Sequence, residues 1–174
     1  VPIERGSVAI AGSIAFCNQK AWILNSSVRG NILFGQPFDR ERYKDAVTAA
    51  DMWNDFVQFP DGDRTEIGER GINLSGGQKQ RVAFARAVYA NADTLLLDDV
   101  LSAVDVHVGE NIMNRGILGS LAGKTRVLVT HAVHFAHHAD CIVVVEDGRI
   151  KASGTLAQLR EQGIDLTEHV QSSG

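Results

Sequence analysis

The sequence predicts an α/β fold built on a mostly parallel β-sheet. Three continuous apolar runs of strand length, at residues 94–98, 126–130 and 141–145, are typical of strands buried on both faces of such a sheet. Segments of helical composition, at residues 108–121 and 132–138, separate these runs. The order β-α-β-α-β is therefore the natural interpretation of this part of the chain.

Two further strands are predicted near the N-terminus. Residues 7–11 and 13–17 are both rich in apolar residues and are separated by Gly12, a residue that commonly breaks strands. The chain therefore enters the sheet before its first helix.

Two helices are predicted in the middle of the chain. Asp39 is a suitable N-cap for the first, in which Tyr43, Ala46, Val47 and Ala50 recur on one face. The second is expected over residues 77–90, ending at Asn91, with three inward positions. These inward positions are Val82, Ala85 and either Val88 or Ala92.

Turn-forming residues are found at two of the predicted connections between elements. Residues 59–63 combine proline, glycine and aspartate between the two helices. Residues 145–150 carry Asp147-Gly148 between apolar residues, which predicts a β-hairpin.

Composition excludes several classes of protein. The chain has 174 residues, which suits one domain, and its net charge of −4 disfavours binding to nucleic acid. Its longest apolar runs are far shorter than the ~20 residues of a membrane-spanning helix. The two cysteines, Cys17 and Cys141, lie in strand-like segments, so a disulfide framework is not expected and a reducing compartment fits.

A glycine-rich turn precedes the second helix. Residues 74–78 (LSGGQ) place Gly76 and Gly77 where backbone N–H groups and the helix dipole favour an anion. An alternative is that Ser75 only caps the helix and the glycines only turn the chain. The following residues Lys79, Gln80 and Arg81 are expected on a solvated helix face.

Polar residues follow two of the predicted strands. Asp98 ends the run at 94–98 and Asp99 follows it, at the sheet edge where Mg²⁺ and an attacking water are commonly held. His131 follows the next strand, at the same edge, and is able to donate a hydrogen bond to a phosphate. The alternative for the two aspartates is that they are solvated and cap a turn. For His134, His137 and His138 a metal site is disfavoured, because no nearby cysteine or carboxylate pair completes a recognisable ligand spacing, and a solvated helix face is expected.

These motifs together resemble the ATP-binding cassette (ABC) family. Residues 74–78 resemble its signature motif, and residues 95–98 resemble its Walker B strand. Residues 102–105 (SAVD) resemble the D-loop, Thr130-His131 the switch histidine, and residues 16–23 the Q-loop segment with its glutamine at Gln19. A further run, residues 29–35 (RGNILFG), is similar to one found after the Q-loop in exporters.

The resemblance implies a P-loop NTPase (RecA-like) three-layer core with an inserted α-helical subdomain. Residues 1–24 and 92–174 are expected to form the core, and residues 25–91 the helical subdomain that carries the signature motif.

The resemblance also implies a role for each site residue. ATP is expected to lie between two cassettes arranged head to tail. Ser75, Gly76, Gly77, Gln78 and Asp105 are expected to contact the nucleotide, and Asp98 and Gln19 to serve Mg²⁺. Asp99, His131 and Gln19 are expected to be catalytic.

Two departures from the family pattern qualify this picture. No G-x-x-x-x-G-K-[ST] phosphate loop is found, and Gly123-Lys124-Thr125 precedes a predicted strand rather than following one. We therefore expect a fragment that lacks the first strands and the phosphate loop, and that is inactive in isolation. Asp99 stands where hydrolytic members carry glutamate, and a shift of ~1 Å in a catalytic group can cost about a hundredfold in rate.

An intact signature beside a weak Walker B site resembles the first nucleotide-binding domain of the multidrug-resistance-associated, or C, subfamily. The implied parent is an exporter ATPase at a membrane, with this domain on the cytosolic face. Its partners would be transmembrane domains and a second cassette. Two alternatives remain: a regulatory cassette that binds ATP and gates a partner without productive hydrolysis, and a soluble ABC ATPase.

Overall fold

The computed structural model describes residues 5–68 and 72–167. The chain divides into two compact units, Val1–Val129 and Thr130–Gly174. Within the described residues, no helix is both long enough and apolar enough to cross a membrane.

A three-stranded parallel sheet forms the base of the first unit. Its strands are β1 (Ile14–Cys17), β4 (Thr94–Asp98) and β5 (Thr125–Val129), in the order β1-β4-β5. Cys17 pairs with Leu97, and Asp98 pairs with Val129. The parallel pairing predicted for the runs at 94–98 and 126–130 is confirmed, and it places the carboxyl ends of all three strands at one edge.

Among the described residues, each edge strand of the sheet is covered on one face, whereas the central strand β4 is buried or half-buried at every position. Ala15 and Cys17 of β1 and Leu95 and Leu97 of β4 are buried, whereas Phe16 of β1 is 58% exposed. In β5, half-buried residues alternate with exposed ones. Burial on both faces, expected for the apolar runs, agrees with the central strand β4 and is wrong for the edge strand β5, because a continuous apolar run does not reveal how many neighbours a strand has.

The strand predicted at residues 7–11 is absent. This segment has no regular secondary structure, and its side chains are exposed, with Val8 70% exposed. Its apolar composition alone does not fix a strand, since a strand also needs a hydrogen-bonded neighbour.

The middle of the first unit is helical. It contains a small antiparallel pair of strands and four helices: β2 (Ser26–Ser27), β3 (Glu66–Ile67), α1 (Val28–Leu33), α2 (Arg40–Ala49), α3 (Trp53–Gln58) and α4 (Gly76–Ala90). A turn and the short 3₁₀ helix Gly62–Arg64 connect α3 to β3, as the turn residues predicted.

The two predicted helices are confirmed. Asp39 caps α2 by accepting a hydrogen bond from the Arg42 backbone N–H, and Tyr43, Ala46 and Val47 are buried. Helix α4 ends at Asn91, which adopts the left-handed conformation that terminates helices. All four candidate inward positions are buried: Val82, Ala85, Val88 and Ala92.

Helix α5 (Val106–Asn111) continues directly into the π-helix Ile112–Ser120. The π-helix lies close to α2 and α4: a Cβ at Gly116 would come within 2.7 Å of the Phe84 ring. Glycine at position 116 is therefore required by this close approach. The helical segment predicted at 108–121 is confirmed, although its wide turns were not expected.

The second unit contains a β-hairpin of β6 (Ile142–Glu146) and β7 (Arg149–Gly154), followed by α6 (Leu156–Glu161). Asp147 and Gly148 both have positive φ, as a type I′ turn requires, so the predicted hairpin is confirmed. Leu159 of α6 packs against Val144 and Ala152 in a small core.

The third apolar run belongs to this hairpin and not to the parallel sheet. Strand β6 pairs antiparallel with β7, and no parallel partner for it occurs among the described residues. The connection between β6 and β7 is short, so the entropic cost of closing the loop between them is small. The apolar run alone does not indicate this local pairing. The segment at 132–138 forms the 3₁₀ helix Val133–His138.

Candidate functional site

The candidate site lies at the carboxyl edge of the three-stranded sheet. Gln19 follows β1 by two residues, and Asp99 follows β4 directly. The parallel register of β1 and β4 brings these two positions together, and Gln19 Nε2 donates a hydrogen bond of 3.2 Å to Asp99 Oδ2. Two residues predicted from separate motifs are thus in direct contact.

The backbone of Asp99 is held in a specific conformation. Its φ of 50° lies in the left-handed region, which costs a residue other than glycine ~1 kcal/mol. Its N–H donates to the carbonyl of Val129 at 2.8 Å, and its own carbonyl accepts from the Ser102 hydroxyl at 2.9 Å. Asp99 is 6% exposed, so the strand, the left-handed turn and the buried environment together fix the direction of its carboxylate.

Asp98 is the last residue of β4 and is half-buried. The oxygens at this edge suit Mg²⁺, which prefers carboxylate and carbonyl ligands and usually takes one or two from the protein. Because Gln19 donates to Asp99 through Nε2, its Oε1 remains as the acceptor end of the amide. Asp98 and Gln19 therefore form a chemically suitable ligand pair.

A second part of the candidate site is the N-terminus of α4. Ser75 caps the helix: its hydroxyl accepts from the Gln78 N–H at 3.2 Å, and Gln78 Oε1 accepts from the Ser75 N–H at 3.0 Å. Both the cap and the anion-binding interpretation are compatible with this geometry. Gly76, the first residue of the helix, faces open space, with no atom within 4 Å of a Cβ built there.

Gly77 has a different environment from Gly76. A Cβ at Gly77 would lie 2.8 Å from the carbonyl oxygen of Ala103, a distance too short for a non-bonded contact. Gly77 is therefore required by the close approach of the predicted signature and D-loop segments, which are in contact through their backbones.

The side chain of Gln78 lies between two segments of the chain. Besides its contact with Ser75, its Nε2 donates to Asp55 Oδ1 at 3.1 Å. Asp55 belongs to α3, and the same carboxylate oxygen accepts from a terminal guanidinium nitrogen of Arg81 at 2.7 Å. Sequence analysis did not identify Asp55 as part of this site.

The expected solvated face of α4 is wrong for Gln80 and Arg81. Gln80 is 2% exposed, and its Nε2 donates to the carbonyl of Asn18 at 3.1 Å, the residue before Gln19. Arg81 pairs with the buried Asp55. A signal for Gln80 was present, because it recurs at helical spacing with the apolar residues Phe84 and Ala87.

Asp105 forms the N-cap of α5. Its Oδ1 accepts from the Val108 N–H at 3.0 Å, and this backbone hydrogen bond holds the pKa of the Asp105 carboxyl below its usual value. The predicted D-loop thus ends in a helix cap.

His131 belongs to the second unit and is exposed there. Its carbonyl accepts from the Val133 N–H at 2.9 Å, and the neighbouring Thr130 hydroxyl accepts from the Ala132 N–H at 3.0 Å. The contact of His131 with a phosphate stays a prediction.

Comparisons with known proteins identify similar sequences along nearly the whole chain. A protein-family model described as "ABC transporter" matches residues 4–102. The ABC-type transporter cicA of Emericella nidulans is 50% identical over 171 residues, which is 98% of this chain and 12% of that protein. ABC transporter C family member 8 of Dictyostelium discoideum is 49% identical over 94% of this chain and 10% of its own length. ATP-binding cassette sub-family C member 3 of Rattus norvegicus is 51% identical over 89% of this chain and 10% of its own length. The chain thus spans about a tenth of the length of these relatives.

Proposed function

This chain belongs to the ABC transporter family, with subfamily C transporters among its relatives, and from that premise we propose what its site does. We propose that it binds and hydrolyses ATP as part of an exporter. In this proposal, closure of two cassettes on ATP drives the transmembrane part of the protein.

The observation that carries the proposal is the contact between Gln19 and Asp99. It joins the predicted Q-loop to the end of the predicted Walker B strand, 80 residues away in the sequence. The contact supports a shared role because the glutamine and both carboxylates then lie at the sheet edge where α/β proteins bind ligands.

The three residues at this edge, and separately His131, each have a distinct role in the proposal. Asp98 and Gln19 would hold Mg²⁺, which would neutralise charge on the phosphates of ATP. Asp99 would orient the attacking water and accept its proton. Gln19 would fix the direction of the Asp99 carboxylate, and His131 would donate a hydrogen bond to the terminal phosphate.

The glycine-rich turn would complete the site of a second cassette. Ser75 closes the capping box of α4, and Gly76 leaves the helix N-terminus open. A helix N-terminus without a lysine is a weak phosphate site alone, but it adds favourable hydrogen bonds to a phosphate that another cassette already holds. We therefore assign this turn, with Gln78 and Asp105, to a head-to-tail pair of cassettes.

A surface near Gln19 supports coupling to transmembrane domains. The Arg86 guanidinium lies over the rings of Trp22 and Phe34, at 4.6 and 5.0 Å from their centroids, while both aromatic side chains stay 48% exposed. Arg86 also donates to the carbonyl of Asn31 at 2.8 Å, so the aromatic pair is held in place. This aromatic surface includes Trp22, which is three residues after Gln19 in the sequence. It suits the membrane part of the transporter as a partner, with the cassette on the cytosolic face.

A second candidate function is ATP binding that gates a partner without productive hydrolysis. Two observations favour it: the Asp99 side chain is one methylene shorter than glutamate, and its carboxylate is engaged by Gln19. The proposed parent therefore has two unequal sites, in which this chain contributes a weak Walker B and an intact signature, as in a first nucleotide-binding domain of subfamily C. A soluble ABC ATPase is disfavoured because the relatives are named as transporters.

Two substitutions in the full-length protein test the proposal. Asp98→Asn should weaken Mg²⁺-dependent labelling of this site by a photoreactive ATP analogue, because a metal ligand is removed. Asp99→Asn should preserve labelling and lower hydrolysis, because only the base is removed. Asp61→Asn, in an exposed turn, is the matched control and should change neither.

The outcomes separate the candidates. Normal labelling with Asp99→Asn and no change in hydrolysis would favour the gating function. Unchanged labelling and unchanged hydrolysis in both variants would overturn the proposal that this edge of the sheet handles ATP.

A further inference from the structure

We propose that Asp55 is a positioning residue that sets the orientation of the glycine-rich turn at Ser75–Gly77. This inference rests on the proposed function, in which the turn closes on a nucleotide held by a second cassette. It identifies a residue of α3, outside every motif recognised in the sequence, as a determinant of that closure.

The Asp55 carboxylate is buried and paired. Its side chain is 7% exposed, and its Oδ1 accepts from Gln78 at 3.1 Å and from Arg81 at 2.7 Å. A buried carboxylate is costly unless it is paired with a charge and hydrogen-bonded. Both contacts fall on Oδ1, whereas the buried Oδ2 has no hydrogen-bond partner among the described residues. The two contacts connect α3 to the first turns of α4.

Both ends of the Gln78 side-chain amide are engaged. Nε2 donates to Asp55, and Oε1 accepts from the backbone N–H of Ser75 at 3.0 Å. Gln78 therefore connects the carboxylate of Asp55 to the backbone of the residue that begins the turn. In this arrangement Gln78 acts on the nucleotide through Ser75 and the glycines.

The turn has little room on its other side. Gly77 is in close approach to the carbonyl of Ala103, where even a Cβ would not fit. The position of the turn is thus limited by the Ala103 carbonyl as well as by the Asp55–Gln78 connection. Because a displacement of ~1 Å can cost about a hundredfold in rate, loss of the connection should be visible in catalysis.

The test is steady-state ATP hydrolysis by the full-length protein, normalised to bound nucleotide. Asp55→Ala should lower kcat at least about tenfold and leave the KM for ATP within about twofold, because the turn acts after ATP is held by the other cassette. Asp55→Asn keeps an acceptor for Gln78 and should lower kcat less. Asp61→Asn is the control for an aspartate without these contacts.

A double variant tests the route through Gln78. If Asp55 acts through this amide, Asp55→Ala combined with Gln78→Ala should be no slower than Gln78→Ala alone, whereas independent effects would multiply. Multiplying effects would overturn the proposed route. Normalisation to bound nucleotide removes any effect of a smaller folded fraction.

Failure of this inference is distinguishable from failure of the proposed function. If Ser75→Ala lowers kcat but Asp55→Ala and Asp55→Asn hydrolyse ATP like the control, the positioning role is wrong and the function stands. If Asp55→Ala does not fold, Asp55→Leu, which fills the buried volume but accepts no hydrogen bond, carries the test, and a kcat equal to that of the control overturns the role. If Ser75→Ala and Gly76→Val also hydrolyse ATP normally, the turn has no part in the reaction and the proposed function fails.

Discussion

Gln19 donates a hydrogen bond of 3.2 Å from Nε2 to Oδ2 of Asp99, although the two residues are 80 positions apart. The contact depends on the parallel register of β1 and β4, which aligns Cys17 with Leu97 and so brings the two following segments side by side. The carboxylate is therefore oriented by a neighbour as well as by its own buried backbone. With its orientation fixed, the length of the Asp99 side chain determines how well the carboxylate can reach an attacking water.

Asp99→Glu should increase hydrolysis at this site. The longer side chain moves the carboxylate outward by about one methylene, and a gain of ~1 Å in reach corresponds to about ten- to a hundredfold in rate. The measurement is turnover in the full-length protein, with products assigned to this site by labelling. Gln19→Ala in the same background should remove part of the gain, because the carboxylate loses its hydrogen-bond donor. Equal turnover for aspartate and glutamate would contradict the proposed weak site.

Gly76→Ala and Gly77→Ala should have opposite effects on stability. A methyl group at Gly76 meets no atom within 4 Å, and alanine is the better helix former, so stability should be unchanged or slightly increased. A methyl group at Gly77 meets the Ala103 carbonyl at 2.8 Å, and such overpacking costs typically 1–3 kcal/mol. Thermal unfolding of the full-length protein, with hydrogen exchange in the α4 peptides, measures the difference. Equal protection of α4 in the two variants would contradict the close approach.

The Gly76→Ala variant also distinguishes an effect on helix packing from an effect on ligand binding. Gly76→Ala should lower ATP hydrolysis while α4 keeps its protection from exchange, because the added methyl group occupies the open side of the helix N-terminus. Normal hydrolysis by this variant would leave the turn with only its capping role.

Gln80→Leu should loosen the segment that carries Gln19. The substitution keeps the buried volume but removes the donor to the carbonyl of the half-buried Asn18, so the hydrogen bond of about 1 kcal/mol is lost. Hydrogen exchange in peptides that cover residues 18–22 should become faster, with less change in β1. Lys79→Gln, at the neighbouring half-buried position, is the control and should leave exchange at 18–22 unchanged.

Much of the fold was predictable because its signals are local. The cap at Asp39, the periodicity of Tyr43, Ala46 and Val47, and the Asp147-Gly148 turn each act within a few residues, and each prediction is confirmed. The strand predicted at residues 7–11 does not form, because a strand needs a hydrogen-bonded neighbour that the local pattern does not supply.

The residues of the candidate site that belong to a recognised motif were predicted from the sequence, whereas Asp55, outside every motif, was not. Asp55 and Arg81 are 26 positions apart, and nothing in the local pattern around either residue indicates that they form a buried pair. The burial of a polar side chain depends on which distant segments pack together. The contact between Asp55 and Arg81 therefore became visible only in the folded chain, whereas the burial of Gln80 had a signal in its helical spacing with Phe84 and Ala87.

The two cysteines should differ strongly in reactivity. Burial raises the pKa of the Cys17 thiol to about 12, with Asp98 raising it and Arg86 lowering it, whereas Cys141 is exposed. Since the thiolate is the reactive form, Cys17 in the folded protein should react with iodoacetamide on the order of a thousandfold more slowly than a thiol with the ordinary pKa of ~8.5. An unfolded chain ionises near that ordinary value, so the contribution of Cys17 to stability is complete below about pH 8.5 and is lost as the pH rises towards 12. Mass spectrometry of the full-length protein at pH 8 should find Cys141 alkylated and Cys17 intact, and both modified in urea. Alkylation of the two residues at the same rate without urea would contradict the burial of Cys17.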